Sequence, residues 1–301
     1  MLDRITIADF GCIRDLDLAL TPIHALIGPN DTGKSTVLRA VRRLVEIANA
    51  GTELPEIIRG KRGTDEWGRS RKGTSFQTRI SFGQPAIIRW QPSALKMPSK
   101  HVFYPQSFLS EGNGLPGMLA RAFLADPSSL AATNARIASV FPTIKSLRVE
   151  PAVNDSLAVL FVLHNGHKVH AHEMSDGVLY WLAFDTLRYL EGDWVLLLEE
   201  PENGLHPSRI AEVMKSIRNV VETSAGKIQV IMATHSPIVV NELRPEEVTL
   251  ITRDAERGSI ATPIIKTQNF EERSKVYALG ELWLSYANGR DEADLVPLVA
   301  E

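Results

Sequence analysis

The sequence predicts an α/β fold in which a mixed β-sheet is flanked by helices. Short apolar strands alternate with amphipathic helices, which is the pattern of this fold class. An apolar stretch at residues 24–27 leads through a glycine-containing loop into a helix at residues 34–49. Two more apolar strands, at residues 194–198 and 228–233, each follow a predicted helix. Strand, loop and helix therefore follow one another in the order that such a core requires.

The composition is that of a globular protein with enough apolar material for a core. Of the 301 residues, 44% are hydrophobic and 23% are charged, which argues against global disorder. The formal net charge is −3, so the chain lacks the overall basicity typical of nucleic-acid-binding domains. A contact with nucleic acid would therefore need a local basic patch.

Cysteine content and hydropathy predict a cytoplasmic protein that does not insert into a membrane. Cys12 is the only cysteine, which excludes an intramolecular disulfide framework and fits a reducing compartment. We expect it to be a small core residue on an early strand. The N-terminus lacks a basic stretch followed by an apolar run, and the chain contains no run of about 18 apolar residues.

The other elements are predicted from periodicity and from the placement of glycine and proline. Alternating residues predict two early strands, and glycines interleaved with basic residues at 51–75 predict a loop or a mobile insertion. Further strands are expected at residues 75–82, 86–90, 147–149 and 157–163, and further helices at 115–139, 176–190 and 207–223. The chain shows no internal repeat or sustained heptad pattern, so coiled-coil arms are not expected.

The loop after the strand at residues 24–27 matches a phosphate-binding pattern in full. Its glycines let the backbone wrap around phosphates, so that amide hydrogens and the helix N-terminus face negative charge. Lys34 would reach the β- and γ-phosphates, and the Ser35 hydroxyl would ligate magnesium. The residues predicted to bind the nucleotide here are Gly28, Pro29, Asn30, Asp31, Thr32, Gly33, Lys34, Ser35 and Thr36.

Two acids follow the apolar strand at residues 194–198. A carboxylate at a strand end can hold magnesium, and the next one can orient and polarise an attacking water. We therefore assign Glu199 to the metal and Glu200 to the water. His235 follows the strand at residues 228–233, where a histidine can contact the γ-phosphate. The catalytic residues predicted from these positions are Glu200 and His235.

Together these motifs resemble the ABC-type ATPase domains of the RecF/SMC and OLD-like group. The resemblance rests on residues 28–35, 174–177, 199–207 and 234–236, which occur in the order of that group, and on similar first strands. It implies an ABC-type P-loop NTPase fold that binds ATP and Mg²⁺. It also implies a homodimer or higher homo-oligomer in which ATPase domains associate head to tail.

The resemblance implies roles for two segments that composition alone does not assign. Ser175 and Gly177 would form the signature that touches the γ-phosphate bound to the partner subunit, and residues 202–206 would pass signals across the dimer. From spacing alone, Ser175 is a helix N-cap. Glu199 stands where the group commonly has aspartate, and Asp176 stands inside the signature. Gln91 and Gln106 are both candidates for the glutamine that such ATPases place near magnesium, and the motif spacing does not assign it.

The predicted organisation is an ATPase domain at residues 1–255 followed by an extension at residues 256–301. The ATPase domain would contain the basic insertion at 51–75 and a helical signature lobe at about residues 100–190. In the extension, one short helix with an apolar face is expected either to pack on the core or to dock an effector.

The preferred function is an ATP-gated dimeric switch of bacterial DNA repair or anti-phage defence. It would control a separate effector, for example a nuclease subunit, or act on DNA, and the basic residues between 59 and 72 are the candidate contact. An OLD-like nuclease is a rival function. The residues after His235 disfavour it, because they contain no Asp-x-Asp pair after an apolar strand, and Asp291, Glu292 and Asp294 lie in a polar tail. The nucleotide-binding subunit of a membrane transporter and a nucleotide-dependent scaffold with negligible turnover are two further rival functions.

Overall fold

The computed structural model describes residues 1–50, 57–62, 65–69, 75–76, 84–100, 105–254 and 258–287. Contacts divide the chain into two compact units. The first combines Met1–Ile87, Gly192–Glu202 and Val221–Glu301, and the second combines Ile88–Glu191 and Asn203–Val220. None of the described helices has the length and apolar character needed to span a membrane.

The strands and helices confirm the predicted α/β class. The strands are β1 (Arg4–Phe10), β2 (Ile13–Ala19), β3 (Ile23–Ile27), β4 (Ile57–Arg62), β5 (Asp65–Arg69), β6 (Ser75–Phe76), β7 (Gln84–Ile88), β8 (Ser99–Lys100), β9 (Ile144–Ala152), β10 (Ser156–Leu163), β11 (Lys168–His170), β12 (Trp194–Glu199), β13 (Ile228–Thr234), β14 (Val248–Asp254) and β15 (Gly258–Pro263). The α-helices are α1 (Lys34–Ala50), α2 (Pro92–Leu95), α3 (Pro105–Glu111), α4 (Leu115–Ala125), α5 (Ser128–Val140), α6 (Asp176–Thr186), α7 (Pro207–Thr223), α8 (Pro237–Asn241), α9 (Phe270–Arg273) and α10 (Leu279–Ala287).

The sheet of the first unit is mixed, with the strand order β6-β5-β4-β1-β2-β15-β14-β3-β13-β12-β7. Its centre is parallel: β12 pairs with β13, β13 with β3, and β3 with β14. Strands β3 and β13 are buried at every residue and β12 at every residue but its last, as expected for parallel strands that are covered on both faces. Their carboxyl ends meet at one edge, where Glu199, Ala233 and Leu26 lie in register on β12, β13 and β3.

Helix α1 packs against this sheet as its periodicity predicts. The side chains at the three- and four-residue spacing are buried with residues of β1, β2, β12 and β13 in one core. They are Val37, Leu38, Val41, Leu44 and Val45. This packing fixes the direction in which the helix N-terminus points.

The predicted loop at residues 51–75 is wrong for its described parts. Strands β4, β5 and β6 extend the sheet from β1 by antiparallel pairing. Glycine weakens a strand without preventing it, and the edge of β1 supplies hydrogen-bond partners that local sequence does not reveal. Gly60 thus pairs with Ile5, and Gly68 pairs with Arg59. The remaining residues of the segment lie outside the described residues.

Cys12 also differs from its predicted position. It lies in the turn between β1 and β2 and is half-buried, whereas the sequence predicts a buried strand residue. Gly11 adopts a φ of 58°, which turns the chain before Cys12 is reached. The thiol contacts the hydroxyls of Thr36 and Ser259 at 3.6 and 3.8 Å.

The second unit contains a small sheet in which β10 pairs with β8, β9 and β11, together with helices α2 to α6. The helix predicted at residues 115–139 is interrupted at Asp126, which has φ −140° and ψ 101°. Asp126 precedes Pro127, and the residue before proline is disfavoured in the helical region. Asp126 instead accepts a hydrogen bond from the Ser128 amide at 3.0 Å, so that α5 begins as a separate helix.

A buried ion-pair network joins α5 to α6 within the second unit. Asp185 is 1% exposed, and its carboxylate accepts hydrogen bonds from Arg136 and Arg188. The Arg136 guanidinium also contacts the Tyr189 hydroxyl at 3.1 Å. Because a buried charge is tolerated only when it is paired, this network ties α6 firmly to its neighbour.

Candidate nucleotide-binding site

The phosphate loop lies between β3 and α1, as predicted, and its glycines are required by the backbone. Gly28 and Gly33 have φ values of 153° and 102°, a region that favours glycine. A Cβ at Gly28 would lie 2.2 Å from the Ile251 carbonyl oxygen, and one at Gly33 would lie 2.6 Å from the Ser259 hydroxyl. At both positions a side chain is therefore excluded by close neighbouring atoms and disfavoured by the backbone conformation.

Residues from β14 and β15 hold the loop in shape. The Ser259 hydroxyl donates to the Thr32 carbonyl at 2.7 Å, and the Arg253 guanidinium donates to the Asp31 carbonyl at 3.2 Å. Within the loop, the Thr32 hydroxyl donates to the Pro29 carbonyl at 3.0 Å. Motif spacing does not reveal Ser259 and Arg253, because neither belongs to a motif and both are far from the loop in sequence.

Lys34 is directed into the loop. Its ammonium donates to the carbonyls of Gly28 and Pro29 at 2.8 and 2.7 Å. Burial lowers the pKa of Lys34, and the charges of Glu200 and Asp31 oppose that effect. The carboxyl end of β12, which carries Glu199 and Glu200, is separated from the strand that leads into the phosphate loop by β13 alone.

Helix α1 presents its first amides to the loop. Val37 donates its N–H to the Gly33 carbonyl at 2.9 Å, and the amides that precede the first helical bond have no partner inside a helix. The Thr36 hydroxyl accepts from Arg39 at 3.1 Å and is buried, so the group that Thr36 can offer to a phosphate is its amide. This arrangement suits an anion at the helix N-terminus.

Glu200 occupies an unusual backbone conformation directly after β12. Its φ is 49°, in the left-handed region that side chains rarely adopt, and its amide donates to the Ala233 carbonyl at 2.8 Å. The turn brings the side chain to His235, whose Nδ1 lies 3.2 Å from Glu200 Oε1. The two predicted catalytic residues are therefore in direct contact.

Glu202 joins Glu200 and His235 in one cluster of side chains. Motif spacing alone did not predict that Glu202 would lie beside His235. The Thr234 hydroxyl donates to Glu202 Oε1 at 2.6 Å, and His235 Nδ1 lies 3.9 Å from the same oxygen. Glu202 is 10% exposed, and among the described residues its Oε2 is a buried oxygen with no hydrogen-bond partner. The Ser236 amide donates to the Thr234 hydroxyl at 3.0 Å, which links the segment before α8 to this carboxylate.

The donor set at this edge fits magnesium. The Ser35 hydroxyl and the Glu199 carboxylate are oxygen ligands, which a hard cation prefers. Within the described ranges, no cluster of three or more His, Cys, Asp or Glu residues is arranged to hold a metal ion. Magnesium commonly uses one or two protein oxygens together with substrate phosphates, so a two-ligand set is sufficient for this ion.

The second unit holds the predicted signature at the start of α6. Ser175 is the N-cap residue, with φ −64° and ψ 144°, and its side chain makes no capping hydrogen bond. Asp176 forms an ion pair with Lys96 at 2.7 Å. Apart from its chain neighbours and the backbone of its own helical turns, a Cβ added to Gly177 would meet no atom of the described residues within 4 Å.

The segment after Glu202 continues in the second unit. Gly204 has a φ of 79°, and a Cβ there would lie 2.7 Å from the Tyr180 ring, so this turn packs against α6. His206 Nδ1 accepts from the Ser208 amide at 3.3 Å at the start of α7. Of the two candidate glutamines, Gln91 is the N-cap residue of α2 and Gln106 lies in the first turn of α3. The choice between them stays open.

Two family models match separate parts of the chain. The model described as "AAA domain, putative AbiEii toxin, Type IV TA system" matches residues 106–241, and the model described as "AAA ATPase domain" matches residues 1–66. The second match contains the whole phosphate loop, and the first contains Ser175, Glu200 and His235.

Two curated relatives show similarity to the chain. The OLD nuclease of Thermus scotoductus is 49% identical over 41 residues, which are 14% of this chain and 8% of that protein. The Septu protein PtuA of Bacillus mycoides is 22% identical over 313 residues, covering 89% of this chain and 42% of that protein. These matches support a P-loop ATPase domain of the RecF/SMC/OLD-like kind. The chain spans less than half the length of either relative.

Solved SMC heads share the fold of this ATPase domain. The SMC head bound to the C-winged helix domain of ScpA aligns with a TM-score of 0.57 at 12% identity, covering 87% of this chain and 96% of that chain. A head with an extended coiled coil, bound to the C-terminal domain of ScpA derived from Pyrococcus furiosus, aligns with a TM-score of 0.53 at 10% identity. That alignment covers 91% of this chain and 98% of the other. At these identities the similarity extends to the fold alone.

Proposed function

We propose that the ATPase domain hydrolyses ATP to ADP and phosphate, and that the reaction opens and closes a head-to-tail dimer. The contact between Glu200 and His235 carries this proposal. Glu200 and His235 follow the neighbouring strands β12 and β13, and Lys34 follows β3 on the other side of β13, so an acid, a histidine and a phosphate-binding cation share one sheet edge. A glutamate held at positive φ beside that cation is the kind of backbone outlier that clusters at catalytic sites.

Each residue of this edge has a role in the proposed reaction. The loop amides and Lys34 bind the β- and γ-phosphates, while Ser35 and Glu199 would hold Mg²⁺, which supplies further positive charge to these oxygens. Glu200 orients a water molecule toward the γ-phosphorus and accepts its proton. The bond from the water oxygen to phosphorus forms as the bond to the β-phosphate oxygen breaks. His235 fixes the Glu200 carboxylate and contacts the γ-phosphate.

A second copy of the chain would complete the site. In this proposal Ser175 and Gly177 of that copy donate to the γ-phosphate at the N-terminus of α6. The open space around Gly177 supports an external contact, since packing among the described residues does not explain a glycine there. ATP would then hold the two copies together, and hydrolysis would release them.

The dimer would act in the cytoplasm as a switch of bacterial DNA repair or anti-phage defence. It would control a separate effector such as a nuclease subunit, or act on DNA through the basic residues between 59 and 72. The SMC heads that share this fold are bound to domains of ScpA, which supports a partner protein for this chain as well.

ATP turnover by Glu200→Gln tests the chemistry and the assembly together. We expect kcat to fall at least about 100-fold, because glutamine cannot accept the water proton. Light scattering in the presence of ATP and Mg²⁺ should show the variant accumulating as a dimer. Glu246→Gln is the matched control, since it makes the same change at an exposed carboxylate.

Two results would contradict the proposal. Turnover by Glu200→Gln at the wild-type rate would remove Glu200 from the chemistry. If the wild-type chain neither hydrolyses ATP nor changes its mass with ATP, it acts as a scaffold or as one half of an obligate hetero-complex.

A further inference from the structure

Helix α10, the last of the described helices, lies directly against the short helix α8, which begins two residues after His235. The approach is close: a Cβ at Gly280 would lie 2.1 Å from the Pro237 carbonyl oxygen. The Gly280 amide donates to the Asn241 side-chain carbonyl at 2.6 Å. Helix α10 is therefore fitted to α8 at both ends of that short helix.

Trp283 on α10 contacts the main chain of His235. Its indole N–H donates to the His235 carbonyl oxygen at 3.1 Å, across 48 residues of sequence. The indole is 3% exposed, whereas the His235 side chain is 52% exposed. The imidazole thus receives little packing of its own, and its position depends on how the backbone beneath it is held.

The backbone around His235 has two further anchors, and both lead back to the acid cluster. Thr234 is bonded to Glu202, and the Ser236 amide is bonded to the Thr234 hydroxyl. These bonds fix the residues on either side of His235, while Trp283 fixes the carbonyl of His235 itself. Anchoring a main chain at consecutive residues sets the direction of the Cα–Cβ bond and so limits where the imidazole can lie.

We propose that Trp283 is a positioning residue for His235 and that helix α10 thereby sets the rate of ATP turnover. The inference rests on the proposed function for its kinetic consequence. The indole bond keeps the His235 backbone in the orientation that brings Nδ1 to the Glu200 carboxylate. Loss of that bond leaves nucleotide binding by the phosphate loop intact and misplaces the catalytic pair.

Trp283→Phe tests the proposal, because it removes the N–H donor and keeps an aromatic ring in the pocket. We expect kcat for ATP to fall about tenfold while KM changes less than about twofold, since misplaced catalytic groups affect chemistry more than binding. Gly280→Ala, which forces α10 away from Pro237, should have the same effect on kcat.

The matched control is Trp194→Phe. Trp194 is also a buried tryptophan, and it lies at the start of β12, about 16 Å along the strand from Glu199. A general effect of lost indole packing would appear in both variants, whereas a positioning effect appears only at Trp283. Equal losses of kcat in the two variants would overturn the proposal.

A double-mutant cycle separates positioning from stability. In a His235→Ala background, Trp283→Phe should lower kcat by less than about twofold, because the side chain that it positions is gone. A full tenfold loss in that background would show that Trp283 acts by another route.

The position of His235 can be followed without ATP. The imidazole ¹H–¹⁵N resonances of His235, identified by their loss in His235→Ala, should shift in Trp283→Phe and stay unchanged in Trp194→Phe. If the wild-type chain lacks turnover, the proposed function fails while these shifts still decide whether Trp283 positions His235. Unchanged His235 resonances in Trp283→Phe would overturn the inference.

Discussion

Gly28 and Gly177 are both predicted to contact the nucleotide, yet their surroundings differ. A Cβ at Gly28 would lie 2.2 Å from the Ile251 carbonyl oxygen. One at Gly177 would meet no atom of the described residues within 4 Å beyond its chain neighbours and the backbone of its own helical turns. Packing within the first unit therefore explains why a side chain is excluded at Gly28. Packing within the second unit gives no such reason for a glycine at Gly177. A glycine whose own surroundings leave room for a side chain is thus a candidate for close contact with a molecule outside the chain.

The greatest change in stability is predicted for Asp185→Asn. This variant tests whether the ion pairs of Asp185 stabilise the packing of helix α6, which carries Gly177. Asp185→Asn leaves Arg136 and Arg188 without their buried partner and should lower the free energy of unfolding by about 4 kcal/mol. Denaturant unfolding measures this change, with Asp193→Asn at an exposed position as the control. A change below about 1 kcal/mol would mean that α6 is loosely held, and the open space at Gly177 would then lose its significance.

The second effect concerns His24 on β3, the strand that leads into Gly28. His24 is buried between the hydroxyls of Thr21 and Thr249, each 3.0 Å away, and burial lowers its pKa to about 4. The folded state therefore resists protonation, while the unfolded state takes up a proton near pH 6.5. Stability is fully present above pH 6.5 and should fall by about 3 kcal/mol as the pH drops to 4.

Denaturant unfolding over that pH range checks the His24 prediction. A His24→Gln variant keeps hydrogen-bonding groups and does not titrate, so it should lack this part of the pH dependence. If the free energy of unfolding depends on pH in the same way in the variant and the wild type, the pH dependence does not come from His24.

The third effect tests the conformational requirement at Gly28. Gly28→Ala should lower the free energy of unfolding by about 2–3 kcal/mol, because the added Cβ meets a backbone carbonyl and φ is unfavourable. ATP affinity, measured by calorimetry, should fall with it, since the loop must move. Normal affinity and stability would show that the loop relaxes readily around a methyl group.

The least change in stability is predicted at Gly177. Gly177→Ala lies in the first turn of α6 with space around it, so stability should rise by up to about 1 kcal/mol. Turnover should nevertheless fall, because the proposed contact with the second copy's γ-phosphate tolerates no side chain. Wild-type turnover in this variant would remove Gly177 from the proposed composite site.

Motif spacing predicts much of the candidate site. Short patterns at strand ends are enough to assign the loop at residues 28–35, the acids Glu199 and Glu200, and His235. The structure brings Glu200 to His235 and places Glu200 near Lys34, since β12, β13 and β3 are neighbouring parallel strands. The roles of these residues in catalysis, and those of Ser175 and Gly177, stay predictions.

Other features are missed or predicted wrongly for a common reason. Strands β4 to β6 form by pairing with β1, and the break at Asp126 depends on one proline within an otherwise helical pattern. The contacts of Ser259 with Thr32 and of Trp283 with His235 join distant parts of the sequence. None of these contacts leaves a periodic pattern in the chain.

Local sequence is sufficient for the α/β class, the phosphate loop and the strand ends that carry the acids and the histidine. These depend on hydrophobic periodicity and on residue types within a few positions of one another. Packing in three dimensions determines which strands are neighbours, how Ser259 and Arg253 hold the loop, and that Trp283 contacts His235. Such contacts form when distant segments pack into one core, and their energies depend on geometry that local spacing does not contain.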